Sequence, residues 1–269
     1  MKRFKTVHYT IHSNKIKDAR GIRFAVIADL HGMEFGPDNR KLLETIHRYR
    51  PDGILIAGDM IVRNDSASLK TASSLLRSLA QQYPVYYALG NHEYKLYRTD
   101  PQDNCMAARY QEYEKELKKA GIHILHNESC SLQVGKTSLT VYGLEIPLIY
   151  YKKPFSPQLR REEVRELIGE PSSDSLNILL AHSPKYGDTY FDWGADLILS
   201  GHYHGGIVRI GRHNGLLSPQ LHPFPKFCCG DFHRKDQHML VSAGAGEHTI
   251  PVRIHNPREL LMVDLKPNA

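Results

Sequence analysis

A chain of 269 residues with 41% hydrophobic and 24% charged side chains has the makeup of a globular protein with a sizeable core, which excludes fibrous, low-complexity and disordered classes. Its formal charge of +6 suits anionic ligands, but the basic residues are scattered apart from short clusters such as Lys118-Lys119 and Arg160-Arg161 with acidic neighbours, so nucleic acid is not an expected partner. Cys105, Cys130, Cys228 and Cys229 form no CxxC spacing, which argues against a zinc ribbon or a disulfide framework and fits a reducing, cytoplasmic setting.

Thr6 to Ile11 alternates in polarity and lacks the apolar stretch of a signal peptide. No window approaches the roughly 18 to 20 apolar residues needed to span a bilayer. Strand-like runs follow at Ile22 to Ala28, Gly53 to Ala57, Val85 to Leu89 and Ile122 to Leu125, separated by helical spacing near Asn39 to Tyr49, Leu69 to Gln82 and Gln111 to Ala120. That order predicts βαβ units. Ser129 to Leu144 reads as two alternating runs joined at Gly135-Lys136, and Gln158 to Ile168 as a helix.

Further runs at Leu176 to Ala181, Leu197 to Ser200, Gly206 to Ile210, Met239 to Ala243 and Leu260 to Leu265 predict a second sheet. The expected fold is α/β, a two-sheet β-sandwich flanked by helices, in a single domain over residues 1–269. Gly211 to Lys235, rich in Pro, His and Gly, reads as a long loop over one edge. Its His213, His222, Phe224, Pro225, Phe227 and His233 suit either a wall for the substrate or a small apolar cluster of the loop's own.

Polar groups with metal-binding chemistry fall at the ends of the predicted strands: Asp29-x-His31, Gly58-Asp59, Gly90-Asn91-His92-Glu93, His182 and Gly201-His202-Tyr203-His204-Gly205-Gly206. Each alone is explained by ordinary turn chemistry. His202 and His204 stand out, because alternate residues of an extended segment face the same way. Carboxylate, amide and imidazole donors after successive apolar strands point jointly to a metal site, since ligands gather at the carboxyl ends of strands in α/β sheets.

In this order the five segments resemble the signature blocks of the calcineurin-like metallophosphoesterases, and the resemblance runs from about Gly21 to Leu265. The GHxHGG ending, Val241-Ser242-Ala243-Gly244 and Pro251-Val252-Arg253 are similar to a bacterial subgroup of small phosphodiesterases. The resemblance implies an αββα four-layer fold and two divalent or mixed-valence ions of manganese, iron or zinc. Asp29, His31, Asp59 and His204 would hold one ion, and Asp59, Asn91, His182 and His202 the other, with Asp59 bridging. A bridging hydroxide would attack phosphorus, while His92 would give a proton or hydrogen bond to the leaving group and Glu93 would steady His92.

Arg63 falls where related phosphatases carry a phosphate-gripping arginine, and equally suits a surface loop. Met60 to Asn64 departs from the Gly-Asp-x-Val-Asp common among relatives, and Tyr203 stands where Thr is frequent. Tyr203 would point away from its histidine neighbours if the segment is extended.

The expected function is hydrolysis of a phosphodiester or pyrophosphate bond in a small-molecule or nucleotide-like phosphoester. Two alternatives stand beside it. One is a membrane-surface pyrophosphohydrolase of the UDP-diacylglucosamine type, with peripheral membrane contact. The other is a metal-bound interaction protein without catalysis.

Overall fold

Alternation along the strands decides the layering. In the computed structural model, which describes residues 2–152, 155–211, 213–215, 224–247 and 252–268, strand β1 is Lys5–His12, β2 Ile22–Ile27, β3 Gly53–Ala57, β4 Val85–Ala88 and β5 His123–Ile124. Ala25, Ile27, Ile54, Ile56 and Tyr87 face one apolar cluster, while Phe24, Val26, Leu55, Ala57 and Tyr86 face another. A strand buried on both faces needs cover on both.

Helices α1 (Arg40–Tyr49), α2 (Ser66–Ala80) and α4 (Cys105–Lys119) cover the first face through Leu42, Ile46, Leu75, Leu76, Leu79, Tyr110 and Leu117. A short helix, α3 (Asn91–Tyr97), lies between α2 and α4 in sequence. The second face packs on another sheet.

That sheet contains β6 (Ser129–Val134), β7 (Thr137–Leu144), β8 (Leu176–Ala181) and β9 (Leu197–Ser200). Leu139, Val141, Ile178, Leu180, Leu197 and Leu199 complete the apolar layer between the sheets. Its outer residues Leu179 and Ile198 pack beneath α5 (Arg161–Ile168) and α6 (Gly187–Trp193) through Val164, Tyr190, Phe191 and Trp193. The layers are therefore α, β, β, α.

Two short strands, β10 (Arg209–Ile210) and β11 (Asn214–Gly215), form an antiparallel ribbon; β12 is Gly230–Arg234, β13 Gln237–Val241 and β14 Glu259–Lys266. The first sheet runs β1-β14-β2-β3-β4-β5 and the second β12-β13-β9-β8-β7-β6.

Three expectations change. Leu260 to Leu265 belongs to the first sheet, not the second: β14 pairs antiparallel with β2, Leu261 opposite Val26, and Leu261, Val263 and Leu265 enter the shared layer beside it. Gly206 to Ile210 yields only the ribbon strand β10, because Gly205, Gly206 and Gly211 turn the chain with φ of 67°, 80° and 69°. The segment from Gly211 to Lys235 is not one loop, since Gly230–Arg234 pairs with Gln237–Val241 in an antiparallel hairpin. Residues 216–223, including His222, lie outside the described residues.

Candidate metal centre

The carboxyl ends of β2, β3 and β4 in the first sheet and of β8 and β9 in the second deliver the expected ligands to one place. Asp29, His31, Asp59, His202 and His204 all take left-handed backbone, with φ of 51°, 47°, 53°, 67° and 48°. Such conformations cost about 1–3 kcal/mol each in a residue with a side chain, and they gather where surrounding structure holds them for a purpose.

Close backbone approach makes the curvature possible. A Cβ on Gly90 would stand 2.1 Å from Asp59 Oδ1, and one on Gly201 2.3 Å from Asp29 Oδ2. Only glycine fits at either position.

The donors form overlapping groups. Asp29, His31 and His204 offer ligand atoms within 4.8 Å of one another, as do Asp59, His182 and His202, and His31, Asp59 and His92. His204 Nε2 lies 3.2 Å from His31 Nε2 and 3.4 Å from Asp29 Oδ1. Asp59 Oδ2 lies 3.0 Å from His182 Nε2 and 3.8 Å from His31 Nε2, so it faces donors of both sets.

Backbone hydrogen bonds aim the carboxylates. The N–H of His202 donates to both oxygens of Asp29 at 3.0 Å, and the N–H of His92 donates to Asp59 Oδ1 at 2.9 Å. Burial pushes the Asp29 carboxyl up to about 7 against the pull of His182, with the Asp59 charge adding to the rise. Burial also opposes ionisation of Asp59, yet the imidazoles of His182, His92 and His31 hold its carboxyl well below the usual range. His182 rises despite its burial, chiefly through Asp59.

Two buried atoms test whether the pocket suits cations. Among the described residues Asn91 Oδ1 has no hydrogen-bond partner, a costly condition for a buried polar atom, and the buried His182 Nε2 faces the Asp59 carboxylate 3.0 Å away. His182 Nδ1 is 2.7 Å from the Ala57 carbonyl and donates to it, which directs Nε2 into the site. The mixed oxygen and nitrogen set around these atoms fits divalent ions.

The structure revises the neighbours. Gly90 to Glu93 is not merely a strand-end turn but the start of α3, and Glu93 does not steady His92. Consecutive helical residues point about 100° apart, so Glu93 turns back into the protein, where it is fully buried. There it accepts from the N–H groups of Asp59 (3.0 Å), Met60 (2.6 Å), Ile61 (3.2 Å) and Gly90 (3.1 Å) and from the Tyr87 hydroxyl (2.8 Å).

His92 is held instead by the backbone of Arg63, whose N–H donates to His92 Nδ1 at 3.1 Å. The Arg63 side chain is exposed. Gly201 to Gly206 is a turn with left-handed histidines, not an extended segment. Tyr203 is buried within it, and its ring centroid is 5.8 Å from that of His202.

Residues beyond the signature blocks complete the centre. Asn256 donates from Nδ2 to the carbonyls of His204 and Gly206, each at 2.6 Å. Arg253 donates to the carbonyls of Ala243 (2.8 Å) and Gly246 (2.6 Å), and its Nη2 lies 3.2 Å from His204 Nδ1. The Tyr151 ring meets the His202 ring edge-on with centroids 5.2 Å apart. Only the Pro251-Val252-Arg253 likeness hinted at any of these.

The blocks carry a family signature. Residues 22–206 match the model of the calcineurin-like phosphoesterases, and the chain belongs to that family. The Caenorhabditis elegans protein F40B5.2 is 28% identical over 281 residues, covering 96% of this chain and 53% of its own length, so the chain spans about half of that relative. Bacillus subtilis YpbG is 24% identical, covering 96% of this chain and 86% of its own. A zebrafish transmembrane protein with a metallophosphoesterase domain is 25% identical, covering 97% and 57%.

Among solved structures, a Staphylococcus aureus protein described as a candidate 5′-nucleotidase shares the fold with a TM-score of 0.54 at 12% identity, covering 93% of this chain and 55% of its own. The Thermus thermophilus sulfate thiohydrolase SoxB does so with 0.50 at 14% identity, covering 93% and 57%.

Proposed function

We propose that the chain is a binuclear metal-dependent phosphoesterase that hydrolyses a phosphodiester or pyrophosphate bond. The observation that carries this reading is the buried Asn91 Oδ1, without a hydrogen-bond partner among the described residues, beside the Asp59 carboxylate, which faces imidazoles of both sets. Asp29, His31, Asp59 and His204 would hold one ion and Asp59, Asn91, His182 and His202 the other. Bound there, two manganese, iron or zinc ions supply an acidified water and positive charge for a phosphoryl group.

The chain's own residues do the rest. The Arg63 N–H occupies His92 Nδ1, so the neutral ring carries its hydrogen on Nε2. That geometry suits His92 to hydrogen-bond a phosphoryl or leaving oxygen. The hydrogen-bonding role is the one to test. Arg63, exposed at the rim, is the candidate for gripping a distal phosphate.

The test is turnover of bis-p-nitrophenyl phosphate against p-nitrophenyl phosphate by metal-stripped protein reloaded with manganese. Diester cleavage should vanish in Asp59→Asn and fall about 100-fold in His92→Ala, the usual size of such a contribution. Monoester preference would redirect the reading to a phosphatase. No turnover with both ions bound would leave an interaction protein.

A second reading, a lipid-linked pyrophosphate such as a UDP-diacylglucosamine type cleaved at a membrane surface, has one specific support. Phe155 and Phe224 are 89% and 72% exposed, and Ile149, Val252 and Ile254 are also exposed; Ile149, Val252 and Ile254 lie within two residues of Tyr151 or Arg253, and Pro225 and Phe227, just after Phe224, line a cleft with Tyr203. Among the described residues no helix is long and apolar enough to cross a membrane, and the contact proposed is peripheral. Sedimentation with anionic vesicles decides it.

A further inference from the structure

The layer between the two sheets does not close in the same way at both edges. At the β6 edge the inward positions Cys130, Leu132 and Val134 pack on the shared apolar cluster. At the opposite edge β1 ends the first sheet and β12 the second, and polar residues take the inward positions. Val7, Tyr9 and Ile11 of β1 face the shared layer, so Lys5 is the next residue on that side. On β12, Phe232 packs on the outer cluster, while Asp231 pairs with the inward Leu240 and His233 follows on the same side. Glu259 precedes the inward Leu261, Val263 and Leu265 of β14 in the same alternation.

These inward polar positions leave an open cleft of about 770 Å³, lined by Lys5, Tyr9, Arg209, His213, His233 and His255 together with Asp231 and Glu259. Both carboxylates are already engaged. Glu259 accepts from Arg209 Nη1 at 2.8 Å and from the N–H of Ala243 at 3.2 Å, and Asp231 lies 3.1 Å from His238 Nδ1. Lys5 is exposed and, among the described residues, has no ion-pair partner. The neutral imidazoles of His213, His233 and His255 can each donate one hydrogen bond. Among the described residues, ligand atoms close enough for a metal gather only at the centre, so the cleft is not arranged for a cation. It offers a surplus of donors and an unneutralised ammonium.

We propose that this cleft binds a phosphorylated small molecule of nucleotide size at a site separate from the metal centre. Cavities of about 300–1,000 Å³ are those that enclose ligands of this size, whereas inorganic phosphate would leave most of the space to water. The phosphate meets Lys5 and the imidazole N–H groups in charge-assisted contacts. The rings of Tyr9 and His213 supply flat surface for the remainder.

None of the lining residues belongs to either proposed ion position, so the inference does not depend on the two-ion reading. Cleft and centre nevertheless share a wall: Glu259 holds the N–H of Ala243, and Asn256, next to His255, holds the carbonyls of His204 and Gly206. The occupant sits behind the His204 turn and takes no part in the hydrolysis.

Adenosine 5′-monophosphate titrated calorimetrically into the metal-stripped full chain should bind at one site, about tenfold or more tighter than inorganic phosphate. Lys5→Gln and His233→Ala, both changes of exposed side chains, should each weaken binding about tenfold, the worth of one hydrogen bond to a charged group. Asp59→Asn should leave the affinity unchanged, which keeps this test apart from that of the phosphoesterase reading. Absence of saturable binding overturns the proposal, as does an affinity that either cleft variant leaves unmoved. Loss in Asp59→Asn would put the nucleotide in the metal centre instead. Phosphate binding as tightly as the nucleotide would reduce the cleft to an adventitious anion patch.

Discussion

Glu93 shows how much of the centre depends on a residue that would touch neither ion. Its two oxygens collect four backbone N–H groups and a phenol, and three of those N–H groups belong to the left-handed turn that aims Asp59. In Glu93→Gln the shape is retained, but an amide NH2 replaces one oxygen. At least two buried N–H groups then lose their acceptor, at about 1–3 kcal/mol each. Denaturant unfolding should show that loss, and manganese uptake should fall with it. Unchanged stability would mean that the turn holds itself. The gathering of Asp29, His31, Asp59, His182, His202 and His204 was legible in the sequence because donor chemistry follows apolar runs. Glu93 was misread because its role depends on the rotation of α3, which a four-residue motif does not reveal. Arg253 and Asn256 act from far along the chain on backbone carbonyls, a kind of contact that leaves no pattern.

At the level of elements, strands were more legible than helix starts. Gly53–Ala57, Leu176–Ala181 and Leu197–Ser200 are bounded as their apolar runs suggest. In contrast, α2 and α4 begin earlier than their apolar spacing implies. Asp65 accepts from the N–H of Ala67, and Asn104 from those of Met106 and Ala107, capping polar first turns. His126 ties α4 to the end of α3 and to the chain just after β7. It lies 2.8 Å from Glu114 on α4 and 2.9 Å from Glu145 just after β7, and stacks on Tyr97 of α3 with centroids 4.3 Å apart. Although burial opposes the charge, the two carboxylates raise His126 from 6.5 to about 9. A pKa raised on folding contributes stability that is complete below the unfolded value near 6.5 and is lost as pH climbs through 9. The melting temperature should decline across that window in wild type, and the decline should shrink in His126→Asn. Parallel profiles would show that the cluster is indifferent to charge.

Across the whole molecule, the layering and the centre are one arrangement. Each proposed ion position draws ligands from both sheets: Asp29 and His31 with His204 in one, Asp59 and Asn91 with His182 and His202 in the other. The apolar layer of Phe24, Val26, Leu55, Ile178 and Leu199 holds the sheets face to face, but at their carboxyl ends the contact is between buried carboxylates and imidazoles. Those groups repel or compete for protons unless cations sit among them. Which sheet β14 joins could not be read locally, because an apolar strand buried on both faces fits either sheet, and only its pairing with β1 and β2 decides. Ions that bind only the folded arrangement stabilise it by mass action, about 2.7 kcal/mol for a site held at 100 times its dissociation constant. Chelation should therefore lower the melting temperature, and manganese should restore it. Hydrogen exchange should show where the stability resides. The strand-end turns around Asp29, Asp59, His182 and His202 should lose protection on chelation, whereas the middles of β2, β3 and β8, packed in the shared layer, keep theirs. Loss spread evenly through both sheets would mean that the ions stabilise the fold globally and that the centre is not a separate clasp at its end.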